Sequence, residues 1–261
     1  MNIRYVTLDP TGNITCLVTD PLPRPARAGV TAALMDRCEQ VGYLCAPCLP
    51  GARARIEMMG GEFCGNAAMA SAAYLYACGR AEAGGGVPLE VSGAEGIVPC
   101  AVRPLPDGGF EGTVEMPPVR EIADTVIGGF PAVKVRMDGI THLILESPVT
   151  DEAAEALLRK AASESADAAL GLLLWDGEEK RMRPLVWVRE SGTAVWETGC
   201  GSGSTAVGAY LAFRRGDGYV REEIRQPGGV ILAEAQARGG RVAYAAITGH
   251  VRVGPVETLI L

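Results

Sequence analysis

The sequence has 261 residues, of which 48% are hydrophobic and 21% charged, and its formal net charge is −7. This composition is typical of a globular protein with a substantial core and excludes a disordered chain. The net negative charge without a Lys/Arg block argues against a nucleic-acid partner, and the apolar runs are too short to span a membrane.

The first half of the sequence is predicted to form short strands around a helix that begins at a cysteine. A turn over residues 9–13 joins the first two strands and leaves Asn13 at the rim of a hairpin. Residues 31–40 have helical spacing, with Leu34 and Cys38 among the candidate inward positions. The expected elements are strands at 3–8, 14–19, 53–58, 89–91, 96–102 and 112–116, helices at 31–40 and from Cys64, and loops at 21–25, 60–61 and 84–86.

The second half follows the same plan after Pro117-Pro118, which is the natural domain boundary. Residues 151–166 have the apolar face of an amphipathic helix, and Gln226-Pro227-Gly228-Gly229 introduces the closing strands. Each half is therefore predicted to be α+β, with several strands about one central helix. The other elements expected in this half are strands at 133–137, 140–145, 171–175 and 183–188 and a second helix from Cys200.

One motif occurs twice in the sequence. Cys64-Gly65-Asn66 and Cys200-Gly201-Ser202 each open a run of small residues that is typical of a helix. Because the shift from position 64 to position 200 is about half of the chain, the repeat indicates a duplicated domain and not a solenoid. The same shift also superimposes Ala70 on Ala206, Ala73 on Ala209, Tyr74 on Tyr210, Leu75 on Leu211 and Gly93 on Gly229.

Both cysteines are expected at helix N-termini, where unpaired backbone N–H groups and the helix dipole favour an anion. That anion is either a substrate carboxylate or a cysteine thiolate. Two thiols directed at one carbon from opposite faces can invert it, because one thiolate removes a proton and the other thiol delivers one. Cys64 and Cys200 are therefore candidate catalytic residues. The alternative is that each is a buried apolar residue at a helix start.

The other residues with metal or cofactor chemistry carry weaker signals. Cys45-Ala46-Pro47-Cys48 suggests a zinc or redox site, yet there is no second Cys-x-x-Cys, and His142 and His250 lie far away in sequence. None of the three lysines has a context typical of a Schiff-base lysine. Eight cysteines and an N-terminus without an apolar signal segment favour a reduced, cytoplasmic protein, and no cofactor is expected.

Four segments resemble the diaminopimelate epimerase family of cofactor-independent two-cysteine racemases: Gly12-Asn13, Cys64-Gly65-Asn66, Cys200-Gly201-Ser202-Gly203 and Gln226-Pro227-Gly228-Gly229. The resemblance implies two pseudo-symmetric α+β domains, each a curved, mostly antiparallel sheet around a central helix. It implies domains at 1–117 and 118–261, with the tail from about residue 252 packing on the first. Cys64 and Cys200 would be base and acid. The amides that would hold the substrate α-carboxylate are those of Gly65, Asn66, Gly201 and Ser202.

A closer resemblance rests on five segments: Cys38-Glu39-Gln40-Val41-Gly42, Glu62-Phe63-Cys64-Gly65-Asn66-Ala67, Val91-Ser92-Gly93, Trp196-Glu197 and Cys200-Gly201-Ser202-Gly203. In these segments the sequence resembles one branch of the family, the histidine racemases of staphylopine-type metallophore biosynthesis. The epimerase itself carries Glu-Arg-Gly where this chain has Glu190-Ser191-Gly192, so the arginine that fixes the distal end of diaminopimelate is missing. The resemblance implies histidine as substrate, with Glu39 accepting an imidazole N–H. Gln40, Asn13 and Glu190 are the other candidate residues at the rim of the site.

Three classes of function stay open from the sequence. The first is a pyridoxal-independent racemase of histidine, of diaminopimelate or of another amino acid. The second is a non-enzymatic module that binds a small carboxylate, and the third is a redox or metal protein that uses Cys45 and Cys48. The expected partner is a small-molecule amino acid, without nucleic acid or membrane, and a homodimer is left open.

Overall fold

The computed structural model of the protein describes residues 1–81 and 85–261, so that Gly84 of the loop expected at 84–86 lies outside the described residues. The chain divides into two compact units. Unit 1 consists of Met1–Glu115 and Thr248–Leu261, and unit 2 consists of Met116–Ile247. Each unit has a mixed α/β fold in which parallel and antiparallel strands share a sheet with few helices.

Unit 1 begins with a long strand that pairs antiparallel both with the second strand and with the C-terminal residues of the chain, so that Asn2 lies opposite Ile260. The helices of this unit are α1 (Arg24–Leu34) and α2 (Gly65–Ala77). Its strands are β1 (Asn2–Pro10), β2 (Thr15–Val18), β3 (Gln40–Cys45), β4 (Ala54–Met58), β5 (Leu89–Val91), β6 (Ile97–Val98), β7 (Cys100–Pro104) and β8 (Phe110–Glu115).

Unit 2 also contains two helices, α3 (Asp151–Glu164) and α4 (Gly201–Arg214). Thr150 caps α3, since its hydroxyl accepts a hydrogen bond from the backbone N–H of Ala153 at 3.3 Å. The remaining strands, of which the last continues from unit 2 into unit 1, are β9 (Val119–Ile127), β10 (Phe130–Met137), β11 (Ile140–Leu145), β12 (Ala169–Asp176), β13 (Arg181–Val188), β14 (Thr193–Trp196), β15 (Gly218–Gln226), β16 (Gly229–Arg238) and β17 (Arg241–Ile260).

The order of strand pairing is the same in the two units. In unit 1, β1 and β2 are antiparallel, β2 and β3 are parallel across α1, and β3 and β4 are antiparallel. In unit 2, β10 and β11 are antiparallel, β11 and β12 are parallel across α3, and β12 and β13 are antiparallel. A mostly buried helix follows, α2 in unit 1 and α4 in unit 2. The strand after this helix pairs parallel with the strand that ends the series, β5 with β4 and β15 with β13.

The sheet of unit 2 separates α3 from α4. Neighbouring residues of β12 belong to different hydrophobic clusters, with Leu172 packed among the residues of α3 and Leu173 among those of α4. This follows from the alternation of side chains along a strand. On β11 the same alternation directs Leu143 to the α3 side and Ile144 to the α4 side. The side chain of His142 therefore faces α4.

The helices that begin at Cys64 and Cys200 have few charged residues, because they are buried within the units. Ten of the 13 residues of α2 and ten of the 14 residues of α4 are buried. Small side chains allow this close packing. A Cβ atom added to Gly208 of α4 would lie 3.0 Å from the Cβ of Ala233 in β16.

The bounds of the helix expected at residues 31–40 are wrong, since only residues 31–34 are helical. Helix α1 spans Arg24–Leu34, and its first turn contains Pro25 in the segment expected to be a loop. Proline is tolerated there because the first-turn N–H groups have no partner within a helix. After Leu34 the chain turns and enters β3 at Gln40. The structure also contains strands that the sequence did not indicate, namely β3, β9, β14 and β15.

Within the two described stretches of the chain, none of the helices has both the length and the apolar character needed to cross a membrane.

Candidate active site

Cys64 is the N-cap residue of α2 in unit 1. Its sulfur accepts a hydrogen bond from the backbone N–H of Ala67 at 3.4 Å, and the side chain is half-buried. The turn that precedes it is held by Ser92, whose hydroxyl donates to the carbonyl oxygen of Glu62 at 2.8 Å. Gly93 has a φ of +73°, and a Cβ there would lie 2.3 Å from the backbone nitrogen of Phe63. Glycine at 93 thus permits the close approach that shapes this turn.

Cys200 occupies the corresponding N-cap position of α4 in unit 2. Its sulfur accepts from the backbone N–H of Gly203 at 3.3 Å. Its own backbone N–H donates to Oε1 of Gln226 at 2.7 Å, and the Nε2 group of Gln226 donates to the hydroxyl of Ser204 at 2.8 Å. The Ser204 hydroxyl in turn donates to the carbonyl oxygen of Cys200 at 2.8 Å. This closed set of hydrogen bonds fixes the backbone of the cysteine on both sides.

The environment of Cys200 favours the protonated thiol. Burial raises the pKa of this thiol well above its ordinary value, and the nearby Glu197 raises it further. The hydrogen bonds from Ser202 and Gly203 act in the opposite direction and do not outweigh the burial. The raised pKa keeps Cys200 in the neutral thiol form.

His142 is a residue of this site that sequence reasoning missed, because it is distant from Cys200 in the chain. Its Nε2 atom lies 2.9 Å from the hydroxyl oxygen of Ser202, which lies 3.5 Å from the sulfur of Cys200. The ring is fully buried, and burial lowers its pKa to about 3, so the imidazole is neutral at physiological pH. The arrangement connects a neutral imidazole through a hydroxyl to a thiol. The strand at 140–145 was expected from sequence, and the similarity of Ile140-Thr141-His142-Leu143 to Ile14-Thr15-Cys16-Leu17 is the signal that could have drawn attention to His142 within it.

We expect His142→Asn to make the free energy of unfolding less dependent on pH under acidic conditions. An unfolded histidine titrates near 6.5, whereas the folded pKa is about 3, so between these values the unfolded state binds the extra proton. The stabilisation from neutral His142 is complete above pH ~6.5 and is lost as the pH falls toward ~3. Within that window the wild-type free energy of unfolding should fall by about 1.4 kcal/mol per pH unit more than that of the variant. Urea unfolding across the pH range measures this slope.

His250 supplies the matched control for this experiment. It is partly exposed and pairs with Asp107 at 2.9 Å, so that His250→Asn removes a histidine without removing a buried ring. The control should retain most of the wild-type slope. Equal slopes for wild type and His142→Asn would contradict the burial of a neutral imidazole.

Gly171 on β12 makes room for this histidine, and Gly171→Ala should lower stability. A Cβ at position 171 would lie 2.2 Å from Nδ1 of His142, and the ring is enclosed on all sides. Overpacking of this kind costs about 1–3 kcal/mol. Gly29→Ala in α1 is the matched control, because its Cβ would meet nothing within 4 Å. An exposed helical glycine replaced by alanine should gain about 0.5–1 kcal/mol. The stabilities of the two variants and the wild type are compared through their midpoints of urea unfolding.

Three of the residues expected at the rim lie together in unit 1. The Nδ2 group of Asn13 donates to Oε2 of Glu39 at 2.6 Å, and Nε2 of Gln40 donates to Oδ1 of Asn13 at 2.5 Å. Gln40 also donates to the hydroxyl of Thr15 at 2.9 Å. Asn13 is buried and Glu39 exposed, so the carboxylate is held by a fixed amide and still meets solvent. The turn before Asn13 places Gly12 at a φ of +87°.

The remaining candidates divide between the two units. Asn66 and Gly65 are buried in the first turn of α2, and Gly201 is buried in the first turn of α4. Glu190 is exposed in the turn that follows β13, and in the described part of unit 2 it has no hydrogen bond to Cys200 or Ser202. Both cysteine turns could be predicted from the sequence, because each motif lies within a few consecutive residues.

The family model described as the histidine racemase CntK N-terminal domain matches residues 2–256 of the chain. A histidine racemase of Staphylococcus aureus is 27% identical over 247 residues, which cover 90% of this chain and 89% of the relative.

Two solved structures have the same fold. One is a phenazine biosynthesis protein of the PhzF family from Bacillus anthracis, with a TM-score of 0.73, 14% identity and complete coverage of both chains. The other is a probable proline racemase from Agrobacterium radiobacter, with a TM-score of 0.73, 16% identity and coverage of 99% of this chain and 93% of the other. Since the family model spans nearly the whole sequence, the protein belongs to the histidine racemase CntK N-terminal domain family and is an isomerase of the racemase class.

Proposed function

We propose that the protein is a histidine racemase that inverts Cα without pyridoxal phosphate, using Cys64 and Cys200 as a base and an acid. The observation that carries the proposal is the equivalent placement of these two cysteines. Each is the N-cap of a buried helix, and each sulfur accepts a hydrogen bond from the N–H three residues later. A duplicated thiol in a duplicated setting is what a reaction with two opposite proton transfers requires.

The proton transfers follow from the settings of the two thiols. The buried Cys200 has a raised pKa and rests as the thiol, so it delivers the proton while the half-buried Cys64 removes one. In the reverse reaction the roles exchange, and the two thiols titrate as a coupled pair. His142 and Ser202 orient the Cys200 sulfur, because the neutral imidazole fixes the hydroxyl that lies 3.5 Å from it.

The substrate carboxylate is proposed to bind at the helix N-termini. Backbone N–H groups at helix N-termini favour an anion, and they stabilise the negative charge that develops as Cα loses its proton. The amides in question are those of Gly65, Asn66, Gly201 and Ser202.

Histidine is proposed as the substrate because of the cluster of Glu39, Asn13 and Gln40. A carboxylate has about four acceptor positions, so Glu39 can hold the Asn13 amide at 2.6 Å and accept an imidazole N–H as well. The relative from S. aureus is a histidine racemase. Diaminopimelate would need a cation for its distal carboxylate, and Ser191 stands where the epimerase has arginine.

We further propose that the two halves are pseudo-symmetric epimerase-like domains, divided between residues 117 and 118, with the tail from about 252 joining the first. The recurrence of strand pairing in the two units supports this proposal. The compact units Met1–Glu115 with Thr248–Leu261 and Met116–Ile247 support it as well.

Incubation of the purified protein in D2O with a panel of L-amino acids tests the function. We expect deuterium at Cα of histidine together with D-histidine, at a rate unchanged by hydroxylamine, which inactivates pyridoxal enzymes. Diaminopimelate, proline and alanine should exchange more slowly. If no amino acid exchanges, the proposed function is wrong. If diaminopimelate exchanges fastest, the substrate is wrong and the two-thiol chemistry stands.

A further inference from the structure

Two cysteines outside the proposed active site are separated by only two residues in the sequence of unit 1. Cys45 is the last residue of β3, and Cys48 lies in the loop that follows. Both are free thiols, Cys45 half-buried and Cys48 exposed. Among the described residues no group of three or more His, Cys, Asp and Glu side chains could hold a metal ion. The pair therefore has to be explained by thiol chemistry or by packing.

Each of the two sulfurs receives a hydrogen bond from an arginine. Nη2 of Arg27 donates to the sulfur of Cys45 at 3.3 Å, and Nη1 of Arg55 donates to the sulfur of Cys48 at 3.4 Å. A guanidinium beside a sulfur stabilises the thiolate, which is the form that reacts with disulfides. Packing alone would not require a cation at both thiols.

Glu57 holds the two arginines in place. Its carboxylate pairs with Arg55 at 2.7 Å, with Arg24 at 3.0 Å and with Arg27. The Glu57 side chain is only 11% exposed, so its geometry is fixed by surrounding atoms. The two guanidinium groups that contact the sulfurs thus belong to one rigid cluster.

The loop that carries Cys48 is fixed by a second carboxylate. Oε1 of Glu90 accepts hydrogen bonds from the backbone N–H of Cys48 at 2.6 Å and from that of Leu49. Glu57 thus positions the two arginines and Glu90 positions the loop, so that each sulfur lies beside a guanidinium.

We propose that Cys45 and Cys48 form a redox-active dithiol that a low-molecular-weight disulfide such as glutathione disulfide converts to an internal disulfide. The exposed Cys48 thiolate attacks one sulfur of glutathione disulfide, whose S–S bond breaks, and the released glutathione thiolate takes up the proton that Cys48 gave. The Cys45 thiolate then attacks the Cys48 sulfur and releases the second glutathione. Two protein thiols are oxidised to one disulfide, and one glutathione disulfide is reduced to two glutathiones.

Cys78 provides an internal reference for reactivity. It is exposed in the same unit and lies at the C-terminal end of α2, where its described side-chain partner is the phenol of Tyr74. Exposure alone would make Cys48 and Cys78 equally reactive, whereas the arginine cluster distinguishes them.

The test treats the intact protein with glutathione disulfide and maps every cysteine by alkylation and peptide mass spectrometry. We expect Cys45 and Cys48 to become resistant to alkylation together, without a lasting glutathione adduct, and to recover with reductant. Cys78 should react at least about threefold more slowly than Cys48. Cys45→Ser removes the second attack, so this variant should retain a glutathione adduct on Cys48.

Arg55→Ala and Arg55→Lys test the role of the cation. The alanine variant should slow the reaction of Cys48 by about threefold or more without changing that of Cys78, and the lysine variant should lie between it and wild type. Circular dichroism and the Cys78 rate verify that the variants are folded. A Cys48 that stays reduced, a lasting adduct in wild type, or equal rates at Cys48 and Cys78 would overturn the proposal.

Discussion

Replacement of either Cys64 or Cys200 by alanine is expected to reduce kcat/KM for racemisation by about 10³-fold or more, since each removes one of two proton transfers. Inversion needs a base on one face of Cα and an acid on the other, and neither alanine can serve. The flanking helices should survive, because the cysteine sulfur contributes only one N-cap hydrogen bond, at 3.4 Å in α2 and 3.3 Å in α4. Measurement of D-histidine formation by chiral chromatography gives the loss.

Isotope exchange shows which enantiomer each cysteine deprotonates. A variant that keeps one thiol can still remove a proton from the enantiomer that faces it, so exchange with solvent deuterium should survive for one enantiomer only. Cys64→Ala and Cys200→Ala should retain exchange for opposite enantiomers of histidine. Cys78→Ala, which removes an exposed cysteine at the opposite end of α2 from Cys64, is the matched control and should leave the rate unchanged. If both alanine variants exchange the same enantiomer, the two cysteines do not act on opposite faces.

The starts of the two cysteine helices could be predicted from sequence because their signals are local. A cysteine, one or two glycines and a run of small residues predict a helix that begins after the cysteine, and α2 and α4 begin at Gly65 and Gly201. The same shift superimposes Gly93 on Gly229. Gly93 approaches the segment before Cys64, and Gly228, the neighbour of Gly229, donates its backbone N–H to the carbonyl oxygen of Thr198 before Cys200. At these positions, local backbone geometry and the repeat together were enough to predict the structure from the sequence.

Helix α1 and the strand β3 could not be placed in this way. The spacing of Leu34 and Cys38 fits a helix, and both residues are buried, but they lie on different sides of the turn that ends α1. Short apolar segments fit a helix or a strand equally well, and tertiary packing decides between them. The strand β9 has an interrupted alternation of apolar residues and is mostly half-buried or exposed, so its pattern is weak.

His142 shows the limit that distance in sequence imposes. The residue lies 60 positions from Ser202, and its contact depends on β11 presenting it toward α4. A lone histidine in an apolar strand is as compatible with a satisfied core position as with a functional one. Only the fold brings the imidazole, the hydroxyl and the thiol together.

The second large effect is expected from Glu39→Ala, which should lower kcat/KM for histidine by about 10–100-fold, the loss of one hydrogen bond to a charged group. Turnover of alanine, which has no imidazole, should change by less than about threefold. The loss should appear mainly as a higher KM with kcat little changed, since the side-chain contact holds histidine in the ground state and the transition state alike. Kinetics with both amino acids in wild type and variant measure this difference.

Two further variants separate the carboxylate from the general effect of altering this surface. Glu39→Gln keeps an acceptor oxygen that Asn13 can hold as it now holds Oε2 at 2.6 Å, so its loss for histidine should be smaller than that of the alanine variant. Asp36→Ala removes an exposed acid three residues earlier in the turn after α1 and should leave both substrates unaffected. Equal losses for histidine and alanine in Glu39→Ala would mean that Glu39 shapes the site without contacting the imidazole. A wild-type preference for diaminopimelate would exclude histidine as the substrate, while the reaction at the two cysteines would stand.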